Sequence, residues 1–476
     1  MTNSGVVAQM LASAPCAVEL PAGTGKTELL ATAVGKLGAE QKRSLVLTHT
    51  NAGVDALRKR FRRLGIANSS YRVETIASMA FQVVRAYPTL AGIDVAQLPN
   101  WTQTRAFVRG ATQVLSAASI QKVLTNSFDF AFVDEYQDCD IDQHAFILAL
   151  VRSIPHTVIL GDPLQAIFTF GSPLPAWSEV LTNFPSHDVP VHPHRWNSHN
   201  RELGQWLLDI RPQLRSGNQF DITATKISGL EFVQTRGPMT IVEAVSKIPN
   251  PKDSVVLLDK WDSDVANHAS RLGGRFLVME DIAGRFMTRS LESIPPEGDP
   301  VLAAWMARFT KQCAVGLAKI DQPLLRKLDS AQPITHLVRP GLEPALEALQ
   351  KLQANPTYDQ AAQTGAEILR CNGVRIFRRE AWHDTCSALK KSTENGDAPE
   401  TNLARQRELL RRTGRPEQNR VASRTLLVKG LEYDHVIIAD LDKMRDPKNL
   451  YVALSRARKS VIVVGSSPVV TLKDGA

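Results

Sequence analysis

The chain reads as an α/β protein of two lobes with parallel sheets, each lobe carrying a mainly helical insertion. Three observations point there. Short apolar runs alternate with helical patterns toward both ends of the chain, a glycine-rich phosphate-type loop follows the first run, and two acids close another run about a hundred residues later.

Strand-length apolar runs fall at 17–20, 44–47, Phe130–Val133 and 157–160, and again at 254–258, 275–279, 435–439 and 461–464. Helical patterns lie between them, as at 263–272, and strands interleaved with helices make parallel sheets, because a parallel partner needs a crossover connection. Two stretches break the alternation. Residues 81–127 read as helical with polar and aromatic side chains. Residues 286–417 hold patterns such as 342–352, rich in Ala, Leu and Gln, and are punctuated by Pro295, Pro300, Pro356 and Pro416. The expected domains are therefore a first lobe at 1–80 and 128–195 with an insertion at 81–127, and a second lobe at 196–285 and 418–476 with an insertion at 286–417.

A chain of 476 residues with 43% hydrophobic and 22% charged side chains is long enough for several cores and ordinary for a globular protein. Its formal charge of +8 favours a polyanionic partner. The five cysteines, Cys16, Cys139, Cys313, Cys371 and Cys386, are scattered without a C-x-x-C pair, which speaks against a zinc site, an iron–sulfur cluster or a disulfide scaffold. No apolar run reaches membrane-span length and no secretory layout opens the chain, so the expectation is a soluble cytoplasmic protein with no membrane partner.

The segment Leu20-Pro21-Ala22-Gly23-Thr24-Gly25-Lys26-Thr27 follows a strand and opens a helix. In that context the backbone N–H groups of Ala22, Gly23, Thr24 and Gly25, in the loop that Pro21 opens, and the helix N-terminus converge on phosphates, Lys26 reaches the β- and γ-phosphates of ATP, and Thr27 holds Mg²⁺. The general pattern begins with glycine where this chain has Leu20. Farther on, Phe130–Val133 runs into Asp134-Glu135-Tyr136-Gln137-Asp138, two acids at the carboxyl end of a strand, where open α/β sheets place ligands. Asp134 would bind Mg²⁺ through water and Glu135 would activate the attacking water. An acidic pair alone is often a solvated loop end; together with the lysine loop it points to ATP hydrolysis.

Further blocks follow in order: Leu47-Thr48-His49-Thr50-Asn51-Ala52, Thr75-Ile76-Ala77-Ser78, residues 158–170 (VILGDPLQAIFTF), His194-Arg195-Trp196, Lys429-Gly430-Leu431-Glu432-Tyr433 and residues 451–457 (YVALSRA). With the acidic box D-E-x-Q-D, these motifs resemble the UvrD/Rep/PcrA-like superfamily 1A DNA helicases, of which the chain would be a compact member. The resemblance covers about two hundred residues and implies two RecA-like P-loop lobes with ATP hydrolysed between them. It makes Gln165 the γ-phosphate sensor, Arg195 and Arg456 the arginines that reach the γ-phosphate, and His194, Gly430 and Glu432 nucleotide contacts. Thr48, His49, Asn51, Thr75 and Ser78 become contacts to DNA, and Phe168 and Phe170 faces on which bases stack, the alternative for both phenylalanines being core. His49 stands where the family has phenylalanine and His194 where it has tyrosine. The adenine-reading L-x-x-x-Q stretch is not recognisable at its usual distance from Lys26, leaving Gln9 as its candidate.

The activity so implied is 3′-to-5′ translocation on single-stranded DNA, with forked duplex as a further substrate. A second reading is a DNA-responsive ATPase subunit that regulates a protein partner such as a nuclease, in DNA repair or antiviral defence. An RNA helicase of the sister branch fits the D-E-Y-Q-D box less well. Outside the motifs, the run from Arg58 to Arg63 reads as a solvated helix face ahead of a DNA patch, and the arginine-dense stretch from Arg405 to Arg415 as a track lining or a partner surface.

Overall fold

The computed structural model describes residues 3–94, 103–168, 173–335, 337–413, 415 and 418–473. The chain divides into two compact units, one of Met1–Phe220, Asp446–Ser455 and Thr471–Ala476, the other of Asp221–Arg445 and Arg456–Val470.

The first unit is built on a parallel sheet of β1 (Cys16–Glu19), β2 (Ser44–Thr48), β3 (Tyr71–Thr75), β4 (Phe130–Val133) and β5 (Thr157–Gly161), in the order β1-β5-β4-β2-β3. Strands covered on both faces read as unbroken apolar runs, and β2, β4 and β5 are buried at every position. The two-residue period divides their side chains between two cores. Val18, Val46, Phe132 and Val158 meet the helices Asn3–Ala12, Lys26–Ala39 and Asn51–Arg63. Leu45, Leu47, Val133 and Ile159 face the other way, toward Ile76, Phe107, Phe146 and Phe184. The expected first insertion is helical, with Ile76–Ala86, Pro88–Ala91, Thr104–Val114 and Ala118–Ser127. Its Phe81 and Phe107 rings meet edge-on at 5.3 Å and close the second core.

The helix Asn51–Arg63 turns Val54, Leu57 and Phe61 inward, so its basic run faces out, as a helical period requires. Arg60 is ion-paired to Glu28 and Arg58 donates to the Val73 carbonyl.

Short strands β6 (Gln219–Asp221) and β15 (Val469–Thr471) lie where the chain passes from one unit to the other. The second unit holds β7 (Leu230–Gln234), β8 (Val255–Leu258), β9 (Leu277–Val278), β12 (Arg420–Ser423), β13 (Tyr433–Ile438) and β14 (Ala457–Gly465). They form a parallel six-stranded sheet in the order β7-β14-β13-β8-β12-β9. The segment between β9 and β12, where the insertion at 286–417 is expected, holds seven described helices between Arg285 and Thr413, with the antiparallel pair β10 (Ala314–Val315) and β11 (Arg375–Ile376). Trp305 stacks on Phe309 at 5.3 Å and Phe309 on Trp382 at 5.9 Å in its core.

Of the described arginines in the arginine-dense stretch, Arg407 turns inward, whereas Arg405 is exposed. Arg407 is 4% exposed and ion-paired to Glu380 and Asp384, Arg415 to Glu380 and Arg405 to Asp397. A buried guanidinium needs such partners to offset its desolvation. No helix among the described residues is long and apolar enough to cross a membrane.

Candidate active site

In the first unit, five strand ends supply the motifs. The loop after β1 climbs through Gly23 (φ +69°) and Gly25 (φ +92°) into the helix Lys26–Ala39. Both glycines adopt the left-handed conformation that an L side chain resists, and both are crowded. A Cβ on Gly23 would stand 2.6 Å from the Trp196 ring and 2.8 Å from Arg195 Cβ; one on Gly25 would stand 3.1 Å from the His194 ring. The turn His194–Trp196 thus lies directly on the loop, where Arg195 N–H donates to the Gly23 carbonyl at 3.0 Å. Thr24 Oγ1 donates back to the Pro21 carbonyl at 2.7 Å and tightens the bend. Pro21 and Ala22 are buried, Thr27 and His194 exposed, Arg195 half-buried.

Lys26 is 9% exposed, and its Nζ lies 2.8 Å from Glu135 Oε1. The contact lacks hydrogen-bond alignment, so the buried ammonium has no aligned acceptor among the described residues. Burial works against its charge, but Glu135, Asp134 and Asp162 outweigh it and hold the ammonium protonated well above its usual range. Burial also pushes the Asp134 carboxyl up to about 6, with Lys26 opposing the rise and Glu135 adding to it. Glu135 occupies a left-handed backbone conformation (φ +55°), rare outside glycine and often found where function holds a residue in place.

Behind these groups runs a chain of hydrogen bonds. Gln137 Nε2 donates to Glu135 Oε2 at 2.5 Å, Asp162 N–H to Gln137 Oε1 at 2.9 Å, and Gln165 Nε2 to Asp162 Oδ2 at 2.9 Å. Gln165 and Asp162 follow β5, adjacent to β4 with its two acids.

These residues fit a nucleotide with its metal. Gly23 and Gly25 leave no room for a Cβ, the buried Lys26 ammonium paired with Glu135 suits a phosphate oxygen, and Asp134 with the Thr27 hydroxyl matches the sparse oxygen set by which Mg²⁺ is held beside phosphates.

The other half of the sheet carries the expected nucleic-acid contacts. Thr48 and Thr75 end adjacent strands and pair in register. Thr75 Oγ1 accepts from Ser78 N–H at 3.0 Å and donates to Ser78 Oγ at 2.7 Å, capping the helix Ile76–Ala86. Thr50 caps the helix that begins at Asn51, which is exposed. Such caps are worth about 1 kcal/mol each. His49 Nε2 lies 3.5 Å from the buried Cys139 Sγ, joining this half to the acidic box. Phe168 is 37% exposed; Phe170 lies outside the described residues. Gln9 is exposed on the helix Asn3–Ala12.

In the second unit, Gly430 (φ +85°) and Glu432 are exposed in the turn before β13. Arg456, 1% exposed, precedes β14 and donates to the Leu431 carbonyl at 3.2 Å, while its own carbonyl accepts from Tyr433 N–H at 2.9 Å.

Sequence reasoning passed over Asp162, Trp196, Arg211 and Tyr451. Asp162 stands inside the segment read for Gln165, and its signal was a charge that ends an apolar strand. Arg211 has no local signal, since its partner Asp162 lies 49 residues away.

Gly23→Ala tests the loop directly. Left-handed strain costs about 1–2 kcal/mol before any clash with Trp196, so nucleotide affinity should fall roughly 5–30-fold or more in a titration with a fluorescent ATP analogue. Unchanged affinity would mean that phosphates are held elsewhere.

Two family models match the chain: the AAA domain over residues 3–171 and the UvrD-like helicase C-terminal domain over residues 426–464. No curated protein matches it.

Proposed function

The chain being a UvrD/Rep-like superfamily 1 helicase, we propose that it is an ATP-dependent translocase and helicase on single-stranded DNA, with 3′-to-5′ polarity. The observation that carries the reading is the buried Lys26 ammonium beside Glu135, at the end of a loop whose Gly23 and Gly25 have no room for a Cβ. Lys26 takes the β- and γ-phosphates, while Thr27 and Asp134 hold the metal. Mg²⁺, when bound, supplies neutralisation of the charge that develops on the transferred phosphoryl group. Glu135, steadied by Gln137, takes the proton of the attacking water. Gln165 senses the γ-phosphate, Arg195 and Arg456 stabilise its charge, and His194, Gly430 and Glu432 serve the nucleotide.

Thr48, His49, Asn51, Thr75 and Ser78, at the ends of β2 and β3, take the strand, with Phe168 and Phe170 as stacking faces. The polarity follows the family resemblance, and the lobe boundaries follow the alternation of strands and helices. Forked duplex is the unwinding substrate, the cytoplasm the compartment, and a nuclease the kind of partner that a regulatory role would need.

Turnover should be low alone and rise with single-stranded DNA, because a motor hydrolyses productively only when the strand completes the closed state. Added salt should weaken that stimulation, since phosphate contacts release counterions with a slope of about −0.7 per contact on single strands. ATPase assays with single-stranded DNA, single-stranded RNA and neither decide the matter. A rate indifferent to both nucleic acids defeats the motor reading and favours an ATPase switched by a protein partner.

A further inference from the structure

Arg211 opens the short helix Arg211–Ser216, outside every motif, yet it is 7% exposed. Its guanidinium grips Asp162 with both arms, NH1 to Oδ2 at 3.0 Å and NH2 to Oδ1 at 2.8 Å, and NH2 also donates to Glu19 Oε1 at 2.7 Å. Its plane lies 5.0 Å from the Tyr451 ring centroid. Tyr451 is 1% exposed on the helix Pro447–Leu454.

Asp162 is fully buried, and among the described residues Arg211 is the cation paired with it. The same carboxylate accepts from Gln165 Nε2, and its backbone N–H donates to the Gln137 side chain that steadies Glu135. Asp162 is near enough for its charge to be felt by Lys26. Left without Arg211, it would be a third anion where a polyphosphate has to bind, and it would be free to turn away from Gln165. Only a guanidinium fork satisfies both carboxylate oxygens in one plane while lying against an aromatic face.

We propose that Arg211 is a positioning residue for ATP hydrolysis: through Asp162 it sets Gln165 and the Gln137–Glu135 pair. The inference rests on the ATPase reading above. It differs from a purely structural ion pair in what it predicts for kinetics, because a misplacement well under a bond length at the reacting groups lowers kcat while the ground-state grip on nucleotide persists.

The test is steady-state ATPase of the full chain with saturating single-stranded DNA, beside its melting temperature. Arg211→Lys keeps the charge and loses the fork. Expected are a melting temperature near that of the parent, a KM for ATP within about twofold and a kcat lowered about tenfold or more. A stable Arg211→Lys protein with parental kcat overturns the proposal. If that variant does not fold, Arg211→Gln combined with Asp162→Asn removes the buried charges as a pair. A folded double variant with lowered kcat and kept KM supports the proposal, parental kcat overturns it, and failure of both proteins to fold assigns Arg211 to the fold alone. A parent chain that hydrolyses no ATP defeats the ATPase reading itself, whereas an active parent with an indifferent Arg211→Lys defeats only this inference.

Discussion

Glu135→Gln is expected to bind ATP at least as tightly as the parent and to turn it over about 10²–10⁴-fold more slowly, the range for losing a general base. The amide keeps the shape of the carboxylate and a hydrogen bond with Gln137, so the left-handed turn at Glu135 should survive. Removing its charge also frees the Lys26 ammonium, now 2.8 Å from Glu135, to give itself to phosphate. Lys26→Ala should fail differently. It deletes a charge-assisted contact worth about 1.5–3 kcal/mol and leaves Asp134, Glu135 and Asp162 without their shared cation, so affinity should fall roughly 10–150-fold or more. Equilibrium nucleotide binding and single-turnover hydrolysis, each beside a melting curve, separate the two. Near-parental turnover in a folded Glu135→Gln protein would remove Glu135 from the role of base.

The contrast between those variants reflects how the sheet is divided. In the order β1-β5-β4-β2-β3, the strands that end in the loop, the sensor and the acids are neighbours, and the two that end in Thr48 and Thr75 lie beyond them. In the proposed reading one side of the sheet serves the nucleotide and the other nucleic acid, with β4 and β2 in direct register between them. Any coupling of strand to hydrolysis has a short path, from Thr48 and His49 on β2 to the acids on β4.

Much of this was legible before any coordinates. Buried parallel strands announce themselves because both faces are apolar: Phe130–Val133 was placed to the residue, and the helix expected at 342–352 is Glu343–Ala354. The loop and the acidic box were legible because their chemistry needs particular residues at fixed spacing. Three strands of the two main sheets escaped. In β3, Tyr71 and Arg72 lie at a sheet edge and break the apolar run, and β7 is likewise an edge strand whose Glu231 and Gln234 are exposed. Central β12 has only four residues, opens with Arg420 and closes with Ser423, and owes its state to its neighbours rather than to local preference. The Glu19–Arg211–Asp162 cluster was invisible for another reason. It joins residues up to 192 apart, and no window of sequence carries a pattern that long. For the arginines from Arg405 to Arg415 composition left the role open, since it cannot say whether acids such as Glu380 and Asp384 wait on a neighbouring helix.

Arg456→Ala is expected to lose roughly 10³–10⁵ in turnover, or about 4–7 kcal/mol of transition-state stabilisation, if the arginine that ends Y-V-A-L-S-R-A acts on the transferring phosphoryl group as the family resemblance implies. Its surroundings make a second cause of failure conceivable, and the experiment has to exclude it. Arg456 is 1% exposed and satisfies the Leu431 carbonyl, so truncation leaves that acceptor unpaired and a void beside β13. A lost hydrogen bond of this kind costs about 1–3 kcal/mol of stability, which lowers the melting temperature but leaves most molecules folded in a domain of ordinary stability. Arg456→Lys narrows the question further, because it keeps the charge and most of the stem while giving up the planar fork. A catalytic arginine predicts that both variants bind ATP and single-stranded DNA nearly as the parent does, and that both fall by orders of magnitude in turnover while the protein is still folded. A structural arginine predicts instead that turnover follows the folded fraction, so that Arg456→Lys recovers activity in step with its melting temperature. Measuring turnover well below the melting transition of each protein makes the two outcomes distinct: activity restored by lysine would place Arg456 in the fold, and activity absent from a fully folded lysine variant would place it in the chemistry.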